Sequence, residues 1–246
     1  MRSVLLGNNG LTVSRLAFGT AWIGPGGVYL SPEAGADLLR QAFQRGITFW
    51  DTSDDYGTHP HVALALPGIP RQQVVLCSKT TEPEGAVDRI LGELGTDYLD
   101  ILLIHCVGLS WCEPARQALR TLLPDRESGR VRALGFSTHS ARVARQAAEW
   151  PEVEVIMLPI NRAAVCTRES GFEDGGVEEM LAAGRRAWEA GKGVVAMKVY
   201  GCGTLTGDLR GALAFAAALP FVHSLCIGMD NADQVQGNAA LLEELD

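Results

Sequence analysis

The sequence predicts an α/β fold: a single (β/α)8 TIM barrel with an N-terminal β-hairpin, occupying residues 1–246 as one domain. Three observations lead there. Eight short runs rich in β-branched residues or Leu recur at a mean spacing of about 30 residues, roughly one βα unit. The segments between them carry apolar residues at a 3.6-residue period. The chain length, 246 residues, is near that of a typical eight-fold barrel.

The strand-like runs begin near Leu16, Ile47, Val74, Leu99, Val131, Val153, Val194 and Ser224. Several are almost wholly apolar, as expected of parallel strands covered on both faces. The first long helix has a capping Ser31, a first-turn Pro32 and an early Glu33, and Gly46 closes it. Its core stripe is Leu38, Leu39, Ala42 and Phe43. Further stripes are Val87, Ile90, Leu91 and Leu94, then Ala115, Ala118, Leu119 and Leu122, and last Val235, Ala239 and Leu242. Only a weak helix, near residues 61–66, follows Tyr56. Ahead of the first barrel strand, Asn8-Asn9-Gly10 separates two apolar runs, the signal of a hairpin that would plug one end of the barrel. The irregular, polar residues 162–176 are expected on the surface near the mouth.

A doubly wound sheet is the competing fold. It usually carries Gly-x-Gly-x-x-Gly after its first strand, and none is there. Gly201-Cys202-Gly203 with Gly207 is a loose relative, but it follows the seventh strand.

Composition narrows the function classes. Lys and Arg total 21 against 29 Asp and Glu, a net charge of −8. That argues against a nucleic-acid partner, which needs a basic face. No apolar run of about 18 residues is present, so no membrane partner is expected. The N-terminal apolar run is too short for a signal peptide. Six cysteines lack Cys-x-x-Cys spacing, against a zinc ribbon or an iron–sulfur cluster. A reducing, cytoplasmic location is expected. Cys106, Cys112, Cys166 and Cys202 fall near the predicted mouth, and this grouping is read as coincidence.

Barrel enzymes place their chemistry at the C-terminal strand ends. Those ends carry Gly19-Thr20, Asp51, Lys79, His105, Ser137-Thr138-His139, Asn161-Arg162, Lys198 and Gly228. A bare scaffold has no physical need for such a ring, because a buried charge is costly unless paired. Asp51 and Lys79 lie on neighbouring strands and can pair. Tyr56, five residues past Asp51, can fold over the mouth. An ammonium beside the phenol lowers its pKa from about 10, which makes Tyr56 a usable proton donor. His105 can hydrogen-bond the substrate oxygen that receives the proton. The four together make a carbonyl-reducing site that lacks a hydride source.

The ordered segments FWDTSDDYG, LCSKT, DYLDILLIH, SGRVRALGFSTHS, GKGVVAMKVYGCGTL and SLCIGMDNADQVQGNAALL resemble the aldo-keto reductase superfamily over essentially the whole chain. The resemblance implies a barrel that reduces aldehydes and ketones with NADPH, less often NADH. It implies Tyr56 as acid, Lys79 as modulator of its pKa, Asp51 as the lysine's partner and His105 as substrate orienter.

The same resemblance implies a cofactor site along the strand ends. Gly19, Thr20 and Asp51 would belong to it, and Ser137 and Thr138 match a pair that holds the nicotinamide amide. Met157 stands where many members have Gln for that amide, and Met197 where many have a stacking aromatic. Lys198, Val199, Tyr200 and Gly201 resemble the pyrophosphate loop. Gly228, Met229, Gln234 and Asn238 resemble the adenosine end. The Lys and Arg that many members use for the 2′-phosphate are missing at Gly228 and Gln234. Trp22, Trp111, His139, Asn161 and Arg162 are candidates for the substrate pocket, which would take a small carbonyl compound. Many relatives add a C-terminal tail that closes this pocket, and some add a cysteine-rich iron–sulfur segment. Here the expectation is an open pocket or one completed by a second subunit of a homo-oligomer.

Two alternatives belong to other classes. One is a non-catalytic or regulatory cofactor-binding barrel, suggested by the altered nicotinamide contacts. The other is a metal-dependent hydrolase barrel using His59, His61, His105 and Asp51. Metal-dependent barrel hydrolases carry such a histidine pair at a strand end, whereas His59 and His61 lie beyond one, so they are read as residues of a solvated loop and no metal is expected.

Overall fold

A computed structural model describes residues 1–167 and 176–246. Strand β1 (Ser3–Leu5) and β2 (Thr12–Ser14) form the expected hairpin, antiparallel with Val4 opposite Val13. The barrel strands follow: β3 (Leu16–Gly19), β4 (Phe49–Asp51), β5 (Val75–Thr80), β6 (Ile101–Ile104), β7 (Leu134–Ser137), β8 (Val155–Pro159), β9 (Gly193–Met197) and β10 (Ser224–Gly228). They pair in parallel, in chain order, and β10 closes on β3 through Leu225 opposite Leu16 and Gly228 opposite Gly19. The fold is the eight-stranded parallel barrel that the spacing predicts.

Around the barrel run α1 (Pro32–Gln44), α2 (His59–Ala65), α3 (Ala86–Leu94), α4 (Cys112–Thr121), α5 (Leu123–Glu127), α6 (Ala141–Ala148), α7 (Val177–Glu189), α8 (Leu209–Ala217) and α9 (Ala232–Leu245). The predicted caps hold. Ser31 accepts from the Ala34 amide at 3.2 Å, and Gly46 and Gly95 take the left-handed backbone that ends α1 and α3. Most strands begin one to three residues after the apolar run that marks them. Ile47, Leu99, Val131 and Val153 are buried ahead of their strands, and Leu99 already bridges Val131. Apolar patterning reports burial, and burial starts before the hydrogen-bonded ladder does. Of the irregular residues 162–176, residues 168–175 lie outside the described residues.

Two apolar layers result from the period-two alternation of the strands. Outward side chains such as Trp50, Leu76, Leu102 and Phe136 pack beneath the helices. Inward ones, among them Phe49, Val75, Cys77, Leu103, Val155 and Met157, fill the barrel. The same inner layer contains Leu6, Leu11 and Val13 of the hairpin, so the hairpin closes one end. Gly193 makes this fit, since a Cβ there would meet Leu6 Cγ at 2.6 Å. With that end filled by hydrocarbon, the polar residues are left to the other.

Candidate active site

Strand geometry places the charged pair. Asp51 is the last residue of β4 and lies opposite Cys77 of β5. Alternation from Val75 through Cys77 turns Lys79 inward as well, one step further toward the mouth. Lys79 Nζ lies 2.6 Å from Asp51 Oδ1 and donates to the Thr52 carbonyl at 2.9 Å. Lys79 is 1 % exposed and Asp51 4 %. Burial is the largest single influence and works against the ammonium, but Asp51, Tyr56, Cys77 and Cys226 together outweigh it, so the Lys79 pKa rises and the amine stays charged.

The loop after β4 brings in the phenol. Thr58 ties this loop to the one after β3, its hydroxyl lying 2.7 Å from Thr20 Oγ1 and 2.9 Å from Thr52 Oγ1. Tyr56 is half-buried, with Lys79 Nζ 4.8 Å from its ring centroid. The expected net lowering of its pKa is not what the surroundings produce. Burial raises it strongly and Lys79 pulls it back only in part. The phenol is therefore protonated near neutral pH, and the Lys79 charge favours the phenolate that forms once the proton leaves.

His105 follows β6, and its amide donates to the Thr80 carbonyl at 2.8 Å. Its ring meets Tyr56 edge-on, centroids 5.4 Å apart, with Nε2 3.4 Å from Tyr56 Oη. On the far side, Nδ1 faces Asp55 Oδ2 at 3.1 Å and Ser53 Oγ at 3.2 Å. Ser53 Oγ itself donates to the Lys79 carbonyl, so Nδ1 faces two acceptors and carries the proton. Burial, aided by Lys79, lowers the His105 pKa. The neutral ring then presents a bare Nε2 that accepts from the Tyr56 hydroxyl. The expected donation to a substrate oxygen would need a proton on Nε2 instead. Asp55 and Ser53 were missed in the sequence. The only signal was their place in the loop that delivers Tyr56, and a loop residue's partner is not visible in a linear pattern.

The structure brings together the four central residues but gives the other candidates mixed roles. Ser137 Oγ accepts from the Cys106 amide at 2.9 Å, and Thr138 Oγ1 donates to the Val107 carbonyl at 2.6 Å. Both hydroxyls therefore hold the loop after β6. Thr20 is wholly buried, and Met157 lies inside the barrel with no polar atom to offer an amide. Met197 ends β9 at the barrel rim. Asn161 closes its own turn, accepting from the Ala163 and Val165 amides. Arg162 pairs with Asp208 at 2.8 Å. His139 is half-buried and its Nδ1 donates to the Cys166 carbonyl at 2.5 Å. Trp111 packs against the outer core. Trp22 is 52 % exposed and donates to Asp230 Oδ2 at 3.0 Å, beside Gly228.

His59 and His61 depart most from expectation. They are buried in α2 rather than solvated. His59 lies between Glu93 and Ser78, and His61 Nε2 faces the Leu30 carbonyl. Helix packing against α1 and α3 explains this, because it covers the turn that looked polar in the sequence. Among the described residues, no group of three or more His, Cys, Asp or Glu side chains is arranged to hold a metal ion. No helix among them is long and apolar enough to cross a membrane.

The rim from β9 to β10 fits an anionic dinucleotide in its donor chemistry. Lys198 is exposed, takes a left-handed backbone (φ 58°), and pairs with no carboxylate among the described residues. Gly201 and Gly203 take the same conformation, which lets a backbone approach a ligand closely. Val199 is buried, and the Tyr200 hydroxyl donates to Asn238 Oδ1, tying this turn to α9. Between the end of β10 and the first turn of α9, Gly228 and Gln234 are exposed and Met229 is buried. The Asp230 amide donates to Gln234 Oε1 at 3.0 Å, which leaves the Asp230 carboxylate at this end.

A parallel barrel whose mouth joins a buried lysine–carboxylate pair to a tyrosine and a histidine defines a class of barrel proteins. The chain belongs to the Aldo/keto reductase family, whose model matches residues 15–211. Among similar proteins is the probable aldo-keto reductase 1 of Glycine max, 30% identical over 60% of this chain and 48% of its own. Another is the NADH-specific methylglyoxal reductase of Escherichia coli, 26% identical over 63% of this chain and 58% of its own. The chain thus spans about half the length of the curated relatives it matches. Solved structures agree in fold. A crystal structure from Pseudomonas aeruginosa superposes with a TM-score of 0.81 at 22% identity, covering 99% of this chain and 95% of that one. The holo form of an aldo-keto reductase from Bacillus halodurans gives 0.81 at 21%, covering 99% and 91%.

Proposed function

We propose that this protein is an oxidoreductase that reduces an aldehyde or ketone, with Tyr56 as the general acid. The observation that carries the reading is the convergence of Tyr56 on the buried Lys79–Asp51 pair. Asp51 keeps Lys79 charged in a site that would otherwise neutralise it. Tyr56 enters the reaction protonated, because burial holds its pKa high. As negative charge develops on the substrate oxygen, Tyr56 Oη gives up its proton, and the Lys79 charge favours the phenolate left behind. Before substrate binds, the phenol donates to His105 Nε2, and it turns the same proton to the substrate oxygen on binding, while Asp55 and Ser53 fix the tautomer that makes Nε2 an acceptor.

A nicotinamide dinucleotide, when bound, supplies the hydride. Lys198 and the left-handed turn through Gly203 would hold its pyrophosphate. Asp230 and the lack of a cation at Gly228 and Gln234 favour NADH over NADPH, because a 2′-phosphate would find no charge-assisted partner there. The relative named an NADH-specific methylglyoxal reductase supports the same choice and a small carbonyl substrate.

The test is a panel of short aldehydes with each cofactor, followed by loss of reduced-nicotinamide absorbance. Turnover that vanishes in Tyr56→Phe, with cofactor binding kept, supports the assignment. Full turnover in that variant overturns it.

A further inference from the structure

We propose that Cys166 and Cys202 form a dithiol–disulfide couple, an oxidation site that staples the loop after β8 to the loop after β9. Their sulfurs lie 2.8 Å apart although 36 residues separate them in the chain. A further approach of about 0.75 Å would reach the covalent length of about 2.05 Å. Cys202 is exposed and Cys166 half-buried, so a small reagent reaches them.

Both sulfurs sit on turns fixed by their own hydrogen bonds. On one side, Asn161 closes the turn over residues 163–165, donating to the Val165 carbonyl at 2.9 Å, and His139 donates to the Cys166 carbonyl. On the other, the Gly201 amide donates to the Lys198 carbonyl at 2.8 Å and the Gly203 amide to Tyr200 at 3.1 Å. The Arg162–Asp208 pair joins the same two loops a second time. Cys166 and Cys202 both hold left-handed backbone, φ 58° and 53°, which residues other than glycine seldom adopt. The approach of the two thiols is therefore built by the fold.

The remaining cysteines make the contrast. Cys77 and Cys226 are buried in the barrel. Cys112 is buried and donates to Gln146 Oε1. Cys106 is exposed, yet no sulfur lies within hydrogen-bonding distance of it among the described residues. Reagent access alone would select Cys106 as readily as Cys202; only proximity selects the pair.

The chemistry is thiol–disulfide exchange with a small disulfide such as oxidised glutathione. Cys202 loses its proton to solvent, and its thiolate attacks one sulfur of the reagent. A mixed disulfide forms and one glutathione thiolate leaves. The Cys166 thiolate then attacks Cys202 Sγ of the mixed disulfide, forming the Cys166–Cys202 bond and releasing the second glutathione thiolate. The protein loses two electrons and two protons, and the reagent is reduced to two thiols. Burial and the neighbouring thiol push the Cys202 pKa up to about 11, against the pull of Lys198. The exchange is accordingly slow at neutral pH and speeds up as pH rises.

The experiment reads a covalent bond and so stands apart from the proposed reaction. The folded chain is incubated with oxidised glutathione at mildly alkaline pH, then alkylated under denaturing conditions and mapped by mass spectrometry. The expected product has lost about 2 Da, keeps four of its six thiols, and yields a Cys166–Cys202 cross-linked peptide that a thiol reductant reverses. Cys166→Ser should instead retain a stable glutathione adduct on Cys202, while Cys106→Ser cross-links like the parent. Adducts that persist on Cys202 or Cys106 of the parent chain without the cross-link overturn the proposal. So does an unmodified pair beside a modified Cys106.

Discussion

The two sides of the barrel mouth are built differently. On the β4–β6 side, Asp51 and Lys79 are buried and joined at 2.6 Å, and His105 is held from both ring nitrogens. On the β9–β10 side, Lys198, Gly228 and Gln234 are exposed, and the backbone turns through left-handed residues. The first side is set in one geometry by its own contacts, as the proposed proton transfer requires. The second presents a cation and a turn through left-handed residues, as the proposed grip on an extended anion requires. On the first side Asp51 and Lys79 stand on strands, and Tyr56 and His105 just past β4 and β6 are held by contacts to each other and to neighbouring residues. On the second, Lys198 and the turn through Gly203 stand on the loop after β9.

The hardest blow to this contrast is Lys79→Met. It leaves Asp51 buried without its counter-charge, so stability should fall by about 3–5 kcal/mol, read from urea unfolding, and turnover should be lost with it. The double change Asp51→Leu with Lys79→Met should recover part of the stability and none of the turnover. If Lys79→Met unfolds like the parent, the pair is not the rigid element claimed here.

Tyr56→Phe is next in effect. Turnover should drop by about 10²–10⁴, while the cofactor Kd from fluorescence titration stays within about twofold of the parent.

Asp55→Asn tests the aim of the phenol. Asp55 raises the His105 pKa against burial and Lys79. Losing that charge should move the acid limb of the kcat profile to lower pH. An unmoved limb would remove Asp55 from the mechanism. His105, His139 and His223 all have pKa values lowered by burial. The unfolded chain therefore binds more protons than the native one below about pH 6.5. Stability should fall as pH drops through that window, which thermal unfolding at several pH values would show.

The smallest change concerns the exposed side. Gln234→Arg should raise NADPH affinity about tenfold relative to NADH and leave kcat with NADH unchanged. Equal shifts for both cofactors would place the 2′-position elsewhere.

Much of this was legible in the linear chain. The strand runs gave the barrel, and the residues just past them gave Asp51, Lys79 and His105, because a parallel barrel puts its chemistry at strand C-termini. Tyr56 was legible from its short distance past Asp51. Asp55 was not, since nothing in a loop's sequence says which side chain it meets. His59 and His61 misled for a related reason. Their polar neighbourhood looks solvated until α1 and α3 are seen to cover it. Thr138 and Asn161 looked available for ligands, yet their polar atoms hold the backbone of nearby turns.

The sequence by itself determined the order of elements, the inward and outward faces of each strand, and the rim that carries the ionisable groups. Periodicity encodes the face a residue takes, and position at a strand end encodes its height in the barrel. Only the tertiary structure decided the partners: Nδ1 of His105 on Asp55, Thr58 between two loops, Cys166 against Cys202. Those contacts depend on loop paths and on the parallel pairing of strands around the barrel, which brings distant segments within ångströms. A hydrophobic pattern carries no record of that distance.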